Sequence, residues 1–277
     1  MKVLVTGGNN SVGRGVINYL KDRGHEVVLF DTKQDAVQDV RFIQGDILDI
    51  FDVKLAVKGM DAVVHLGGTS ISVSDPTYKV LSLHSTGVFN LFDAASNAGI
   101  PRFIYAASGS SYGIVYGDPN PRYLPIDEEH PITPRDPYTL CKLIGEETCK
   151  FYSHKGMQVV SLRPSYVWTE VNSNQLMQMV NDPGMWAGNL WAYVHVEDFA
   201  QAVDLALTLE FVNSFEAFLI NAPDQGTRLD TRKLLEVYYP CVPVRGPDLT
   251  DSDSLICTLK ARELMGYNPK HTWQDLE

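Results

Sequence analysis

Tyr138 and Lys142 stand four residues apart, about thirty residues after the serine-rich run Ala107-Ser108-Gly109-Ser110-Ser111. On a helix that spacing puts both side chains on one face, a turn apart. An ammonium close to a phenol favours the phenolate and pulls its pKa down from an unperturbed value of about 10. The result is a proton donor and acceptor usable near neutral pH. A tyrosine and a lysine at this spacing are commonly no more than a solvated helix face. What sets this pair apart is the order of what precedes it: first the glycine-rich turn Thr6-Gly7-Gly8-Asn9-Asn10-Ser11-Val12-Gly13, then the serine cluster.

An apolar strand followed at once by Gly7, Gly8 and Gly13, opening a helix, suits a pyrophosphate. Glycines let backbone N–H groups approach the phosphates, and the helix N-terminus adds partial positive charge. Asn9, Ser11 and Val12 belong to the same turn. Asn10 stands where a further glycine is usual, and the expectation is a left-handed backbone there, which asparagine tolerates better than most residues. Asp31 closes the second strand, where a carboxylate can take two hydrogen bonds from an adenosine ribose and repel a 2′-phosphate. Lys33, two residues on, softens that discrimination. Asp46, in Gly45-Asp46-Ile47, follows the third strand; it either accepts from an adenine amino group or caps the next turn.

The elements that must hold these residues follow from the apolar pattern. Strands are expected at 2–6, 26–30, 40–44, 62–66, 103–107 and 158–162, and helices at 12–22, 51–57, 80–97 and 137–153. The strands are continuous Val/Ile/Leu runs, which suits parallel strands buried on both faces. Strand–helix alternation with short connections implies an α/β fold, a Rossmann-type doubly wound parallel sheet. Beyond Arg163 the pattern loosens. A region rich in Pro, Asn, Asp and Gly (172–188) leads to a helix near 197–209, a strand near 217–221, a helix near 231–238 and a short one at 259–265. This predicts a nucleotide domain over 1–163 and a small, tightly joined and partly interleaved C-terminal substrate lobe over 164–277.

The chain has 277 residues, 44% of them apolar, enough for a sizeable core. A net charge of −11 argues against nucleic acid. No apolar run approaches the ~20 residues of a membrane span, and the N-terminus reads as a strand rather than a signal peptide. A cytoplasmic protein with no membrane partner is expected. Cys141, Cys149, Cys241 and Cys257 show no metal-ligand spacing, so no metal is expected either.

These residues carry a resemblance to the extended short-chain dehydrogenase/reductase superfamily, specifically its NAD-dependent epimerase/dehydratase group. Thr6-Gly7-Gly8 to Gly13 is similar to its TGxxGxxG fingerprint. Asp61-Ala62-Val63-Val64-His65-Leu66-Gly67-Gly68 resembles its fourth strand, and Gly87-Val88-Phe89-Asn90-Leu91-Phe92-Asp93-Ala94-Ala95 its following helix. Arg102 to Gly113, Leu162-Arg163-Pro164, Tyr193-Val194-His195-Val196-Glu197-Asp198 and Lys260 to Pro269 extend the match almost end to end.

The resemblance implies NAD as cofactor and Ser108, Tyr138 and Lys142 as catalytic residues. Tyr138 would move a substrate hydroxyl's proton, Ser108 would hold that oxygen, and Lys142 would also bond the nicotinamide ribose. Ile47, Leu66, Gly67 and Gly68 fall on the cofactor site, and backbone groups near Pro164 and Ser165 should orient the carboxamide. Ser70, Gly109 and Ser110 face the expected substrate cleft; Ser110 and Ser111 either touch substrate or only satisfy their turn. A homodimer through the helices at 80–97 and 137–153 is implied, with a small-molecule substrate. Two departures stand out. His84 occupies the position of an asparagine in the family's proton relay, and Trp191-Ala192-Tyr193-Val194-His195 lacks the arginine usual in nucleotide-sugar enzymes. His195 itself is family-typical and reads as structural. The compact C-terminal region and His-Leu-Gly-Gly resemble the uronate dehydrogenases. Transfer of hydride between NAD and a carbinol of a small polar, possibly sugar-derived molecule is the first reading; a nucleotide-sugar epimerase or dehydratase is the alternative. Arg245-Gly246-Pro247-Asp248 faintly resembles a nucleotide-contacting element of some relatives, or is a surface turn.

Overall fold

Alternate residues of each apolar run turn to opposite faces of one sheet: Val3 and Val5 join one buried cluster, while Leu4 between them joins another. The computed structural model describes residues 1–34, 39–67, 77–113, 120–210, 213–246 and 249–277. Its strands are β1 (Lys2–Thr6), β2 (Glu26–Asp31), β3 (Arg41–Gln44), β4 (Ala62–His65), β5 (Arg102–Ala106), β6 (Gln158–Pro164), β7 (Tyr166–Trp168), β8 (Tyr193–His195) and β9 (Phe215–Ile220). Among the described residues the main sheet runs β3-β2-β1-β4-β5-β6-β9, with every pairing parallel. Strand order reverses between β1 and β4, and ligands bind such sheets in the crevice beyond the carboxyl ends there. The doubly wound expectation holds.

Helices α1 (Ser11–Asp22) and α7 (Val196–Thr208) cover one face through Val16, Ile17, Leu20, Phe199 and Val203. On the other face lie α2 (Ile50–Ala56), α4 (Val88–Asn97) and α5 (Pro137–Ser153), through Val53, Leu91, Phe92, Cys149 and Tyr152. The helix expected at 80–97 is really three pieces. It opens as α3 (Thr77–Ser82), passes through a π-helical turn at Leu83–Gly87, and continues as α4. Such turns insert one extra residue and recur at functional sites.

The region 172–188, rich in Pro, Asn, Asp and Gly, holds a helix the sequence did not announce, α6 (Ser173–Asn181). Its polar Ser/Asn/Gln composition hides a buried stripe of Leu176, Met179 and Val180 at helical spacing. Strands β7 and β8 were not expected; three residues each are too few to show a period, and they pair with one another in parallel. With α8 (Thr231–Tyr238) and α9 (Leu259–Met265) they build the C-terminal part, where Trp168, Trp191, Tyr193 and Trp273 form a third buried cluster. No helix among the described residues is long and apolar enough to cross a membrane.

Candidate active site

Tyr138 sits in the first turn of α5, and the sequence fixes that start firmly. Asp136 caps the helix, its carboxylate accepting from the N–H groups of Tyr138 (2.9 Å) and Thr139 (3.1 Å), with Pro137 at the first helical position. One turn on, Lys142 is 1% exposed, and its ammonium donates to the carbonyls of Ala106 (2.7 Å) and Gly67 (3.1 Å). Its Nζ lies 5.6 Å from the centre of the Tyr138 ring. Burial lowers the lysine pKa to about 7, with Glu146 pulling the other way. Two carbonyls engage two of three donors, which leaves one N–H for a further partner.

Helix α5 is anchored to the sheet beneath by a buried pair. Arg163 of β6 donates to Glu146 through Nε (2.8 Å) and a second nitrogen (2.9 Å), and to the Tyr112 hydroxyl (2.8 Å). Ser161 adds a 2.6 Å bond to Glu146. Such two-pronged pairs fix orientation as well as charge.

Ser108 follows β5 and caps a short 3-10 turn, Gly109–Tyr112, its Oγ 2.8 Å from Ser110 Oγ. Ser108, Gly109 and Ser110 line a cleft of about 360 Å³ with Ile126, Pro164, Ser165, Tyr166, Trp186, Asn189 and Ile256. Ser111 is buried instead, with no hydrogen-bond partner for Oγ among the described residues. The structure thus separates the two serines that the sequence left together. The Ser165 N–H is donated to the Ile220 carbonyl (3.0 Å), and proline has none, so the backbone of these two residues offers a carboxamide only carbonyl groups. Tyr166, Trp186 and Asn189 went unnoticed in the sequence because the fold brings them together from separate segments.

A second cleft, of about 530 Å³, opens at the reversal of strand order and is lined by Gly7, Asn9, Asn10, Asp31, Lys33, Asp46, Ile47, Gly67 and His84, among others. Gly7 has φ +68°, and a Cβ there would lie 2.5 Å from Gly67 Cα; one on Gly13 would lie 2.2 Å from the Gly8 carbonyl oxygen. This is the close backbone approach that a dinucleotide turn needs. Asn10 corrects the expectation. Its backbone is extended (φ −149°), not left-handed; the side chain caps α1 by accepting from Gly13 N (2.9 Å) and donates to Gly7 O (3.1 Å). Asparagine here does with a side chain what glycine permits with backbone. Ser11 and Val12 open α1, while Leu66 is buried beneath the cleft. Gly13 supports the turn from behind.

Asp31 accepts from Asn9 N (3.3 Å) and Thr32 N (2.8 Å), which orients its carboxylate at the cleft. Asp46 accepts from Leu48 N (2.9 Å), so it caps its turn while lining the cleft. Gly68 and Ser70 lie outside the described residues. His84 is buried on the π-helical turn, and neither ring nitrogen has a hydrogen-bond partner among the described residues. Burial, helped by Lys142, lowers its pKa to about 3, so the ring is neutral. His65, hydrogen-bonded to the Thr6 hydroxyl at 2.6 Å, is likewise pushed well down by burial.

These features fit NAD: a glycine cradle at a helix N-terminus, an acidic residue ending β2, and a buried lysine with one donor left over. The family model for the NAD dependent epimerase/dehydratase family matches residues 3–220. Over 316 aligned residues the chain is 27% identical to a UDP-glucose 4-epimerase of Lactobacillus helveticus, covering 98% of this chain and 93% of that one. It is 30% identical to a uronate dehydrogenase of Pseudomonas syringae pv. tomato over 64% of this chain and 63% of the relative. Other curated relatives match over about half of their own length. A short-chain dehydrogenase/reductase superfamily protein of Agrobacterium tumefaciens, solved with bound NAD, superposes with a TM-score of 0.75 at 23% identity, covering 99% of this chain and 94% of that one. The chain belongs to the NAD-dependent epimerase/dehydratase family, and its cofactor is NAD.

Proposed function

We propose that the protein is an NAD-dependent dehydrogenase of a small, uncharged polar carbinol, sugar-derived in character. The observation that carries this reading is the make-up of the cleft beside Ser108. None of its described lining residues is lysine or arginine, and the stretches 68–76, 114–119 and 247–248 contain neither in sequence. A diphosphate or carboxylate buried there would lack the cationic partner that such groups need. Serine hydroxyls, Asn189 and the Tyr166 backbone offer hydrogen bonds instead, against apolar walls from Ile126, Trp186 and Ile256.

In this reading NAD, when bound, supplies the hydride acceptor. Ser108 holds the substrate oxygen, and its contact with Ser110 Oγ fixes its rotamer. Tyr138 removes the hydroxyl proton. Lys142, its ammonium positioned by Ala106 and Gly67, favours the phenolate and directs its remaining donor to the ribose. Ser108, Gly109, Ser110 and Tyr138 contact substrate; Asp31 takes the adenosine ribose and excludes a 2′-phosphate.

One observation favours a second reading, a nucleotide-sugar epimerase or dehydratase. Arg245 and Arg262 line a neighbouring cavity of about 480 Å³ that shares Ile256 with the substrate cleft. The Arg245 guanidinium stacks 3.8 Å from the centre of the Tyr123 ring. A screen of aldoses, polyols, uronates and UDP-sugars with NAD, followed by NADH absorbance, separates the two. Net NADH from an uncharged substrate is expected. Micromolar binding of UDP in calorimetry, with epimer formation and no net NADH, would move the epimerase to first place.

We also infer a homodimer. Phe89 of α4 and Leu140 and Phe151 of α5 are each nearly half exposed on adjoining helices, the apolar outer faces that a self-complementary contact would cover. Light scattering of the parent protein and of Phe151→Glu tests it.

A further inference from the structure

Away from both clefts, the first turn of α7 and the segment after α9 bring together a donor set that neither reaction requires. His195 ends β8 at the start of α7, Glu197 lies in its first turn, and His271 comes from the C-terminal segment. One nitrogen or oxygen from each lies within 4.8 Å of the others. The two imidazoles face each other with ring centres 4.3 Å apart, and the far side of His195 packs on Trp168, also at 4.3 Å. His195 Nδ1 is buried without a hydrogen-bond partner among the described residues.

We propose that His195, Glu197 and His271 form a binding site for a divalent transition cation, Zn²⁺ by donor type, with the fourth position open to water. Two imidazoles and a carboxylate are borderline nitrogen and oxygen donors that suit Zn²⁺ in a tetrahedral site. His271 Nε2 lies 3.4 Å from Glu197 Oε2. Two ligand atoms about 2.0–2.1 Å from a tetrahedral ion stand at nearly that separation.

The support behind the ligands is also present. Asp198, 2% exposed, accepts from the backbone N–H groups of Lys270 (3.0 Å) and His271 (2.9 Å). Its Oδ1 comes within 3.2 Å of His271 Nδ1, off the line of a good hydrogen bond and a small ring rotation away from one. A carboxylate on Nδ1 fixes the tautomer that leaves Nε2 free for a metal, the usual arrangement behind a metal-bound histidine. Glu197 and Asp198 also offset the positive end of α7, which would otherwise oppose a cation there. The site is remote from the chemistry: none of the three residues lines either cleft. Its effect is to tie the C-terminal segment to α7.

The test uses tag-free protein stripped with EDTA and titrated with ZnCl₂ by calorimetry, with Co²⁺ absorption reporting geometry. One Zn²⁺ per chain at micromolar Kd or tighter, a raised Tm and intense tetrahedral Co²⁺ bands are expected. Loss of even a supporting carboxylate costs about 10–100-fold in metal affinity, so Glu197→Gln and His271→Gln should each weaken binding at least about tenfold. Both positions are partly or fully exposed, so both variants should keep the parent circular dichroism. Absence of stoichiometric uptake by the parent, an unchanged Kd in both variants, or binding that is lost in Cys241→Ser instead would overturn the proposal.

Discussion

The imidazole of His84 stands edge-on to the Tyr138 ring, with centres 5.9 Å apart and planes at 87°. A buried neutral histidine therefore abuts the residue expected to move the proton, on a π-helical turn that ordinary helix geometry would not provide. Its cost shows as acid sensitivity. His84 titrates near 3 when folded and near 6.5 when unfolded, so between those values the unfolded chain binds the extra proton. Stability from this group is complete above pH 6.5 and falls as the pH drops towards 3. At pH 5 the loss is about 2 kcal/mol. Urea denaturation without cofactor should show His84→Asn losing about that much less than the parent between pH 7.5 and 5. Equal losses would mean that His84 is not held neutral.

Tyr138→Phe should lower turnover by about 10²–10⁴-fold, the usual contribution of an acid–base group, while NADH binding by fluorescence stays near the parent value. A variant keeping more than about a tenth of the activity removes Tyr138 from proton transfer.

Asp31→Ala should move the ratio of kcat/KM values towards NADP by about 10–100-fold, since hydrogen bonds to a charged group contribute about 1.5–3 kcal/mol. A parent enzyme that already prefers NADP would show the ribose assignment to be wrong, and Lys33 would be the place to look.

Glu146→Ala leaves the buried Arg163 guanidinium, among the described residues, with only the Tyr112 hydroxyl as a hydrogen-bond partner. Breaking a buried pair from one side costs about 3–5 kcal/mol. Denaturant unfolding should show a loss of that order, together with reduced turnover as α5 loosens. A loss under about 1 kcal/mol would show that solvent reaches the site.

The sheet and the helix carrying Tyr138 and Lys142 were legible because long Val/Ile/Leu runs and a capped, proline-started helix leave little choice of structure. The helix bounds at 137–153 agree to the residue. Asn10 was legible as a departure but not as a cap, since its side-chain bond to Gly13 depends on how the turn closes. Beyond Arg163, tertiary packing decides. Helix α6, nine residues with Ser173, Asn174 and Asn181 at its ends, is too short to stand alone and forms because Leu176 and Met179 have a tryptophan-rich cluster to enter. The walls of the cleft beside Ser108, drawn from five separate segments, have no local pattern to reveal them. Nor does the His195–His271 pairing, which joins residues 76 positions apart.

Strand β9 joins the main sheet beside β6 although fifty residues, 165–214, separate the two. A ribosome must therefore make and release residues 165–220 before the main sheet can close its edge. Until then β6 presents an unpaired ladder along the edge that β9 will cover. Nascent chains stalled short of residue 220 should then be captured by chaperones and cut readily by protease, with protection appearing abruptly once β9 clears the exit tunnel.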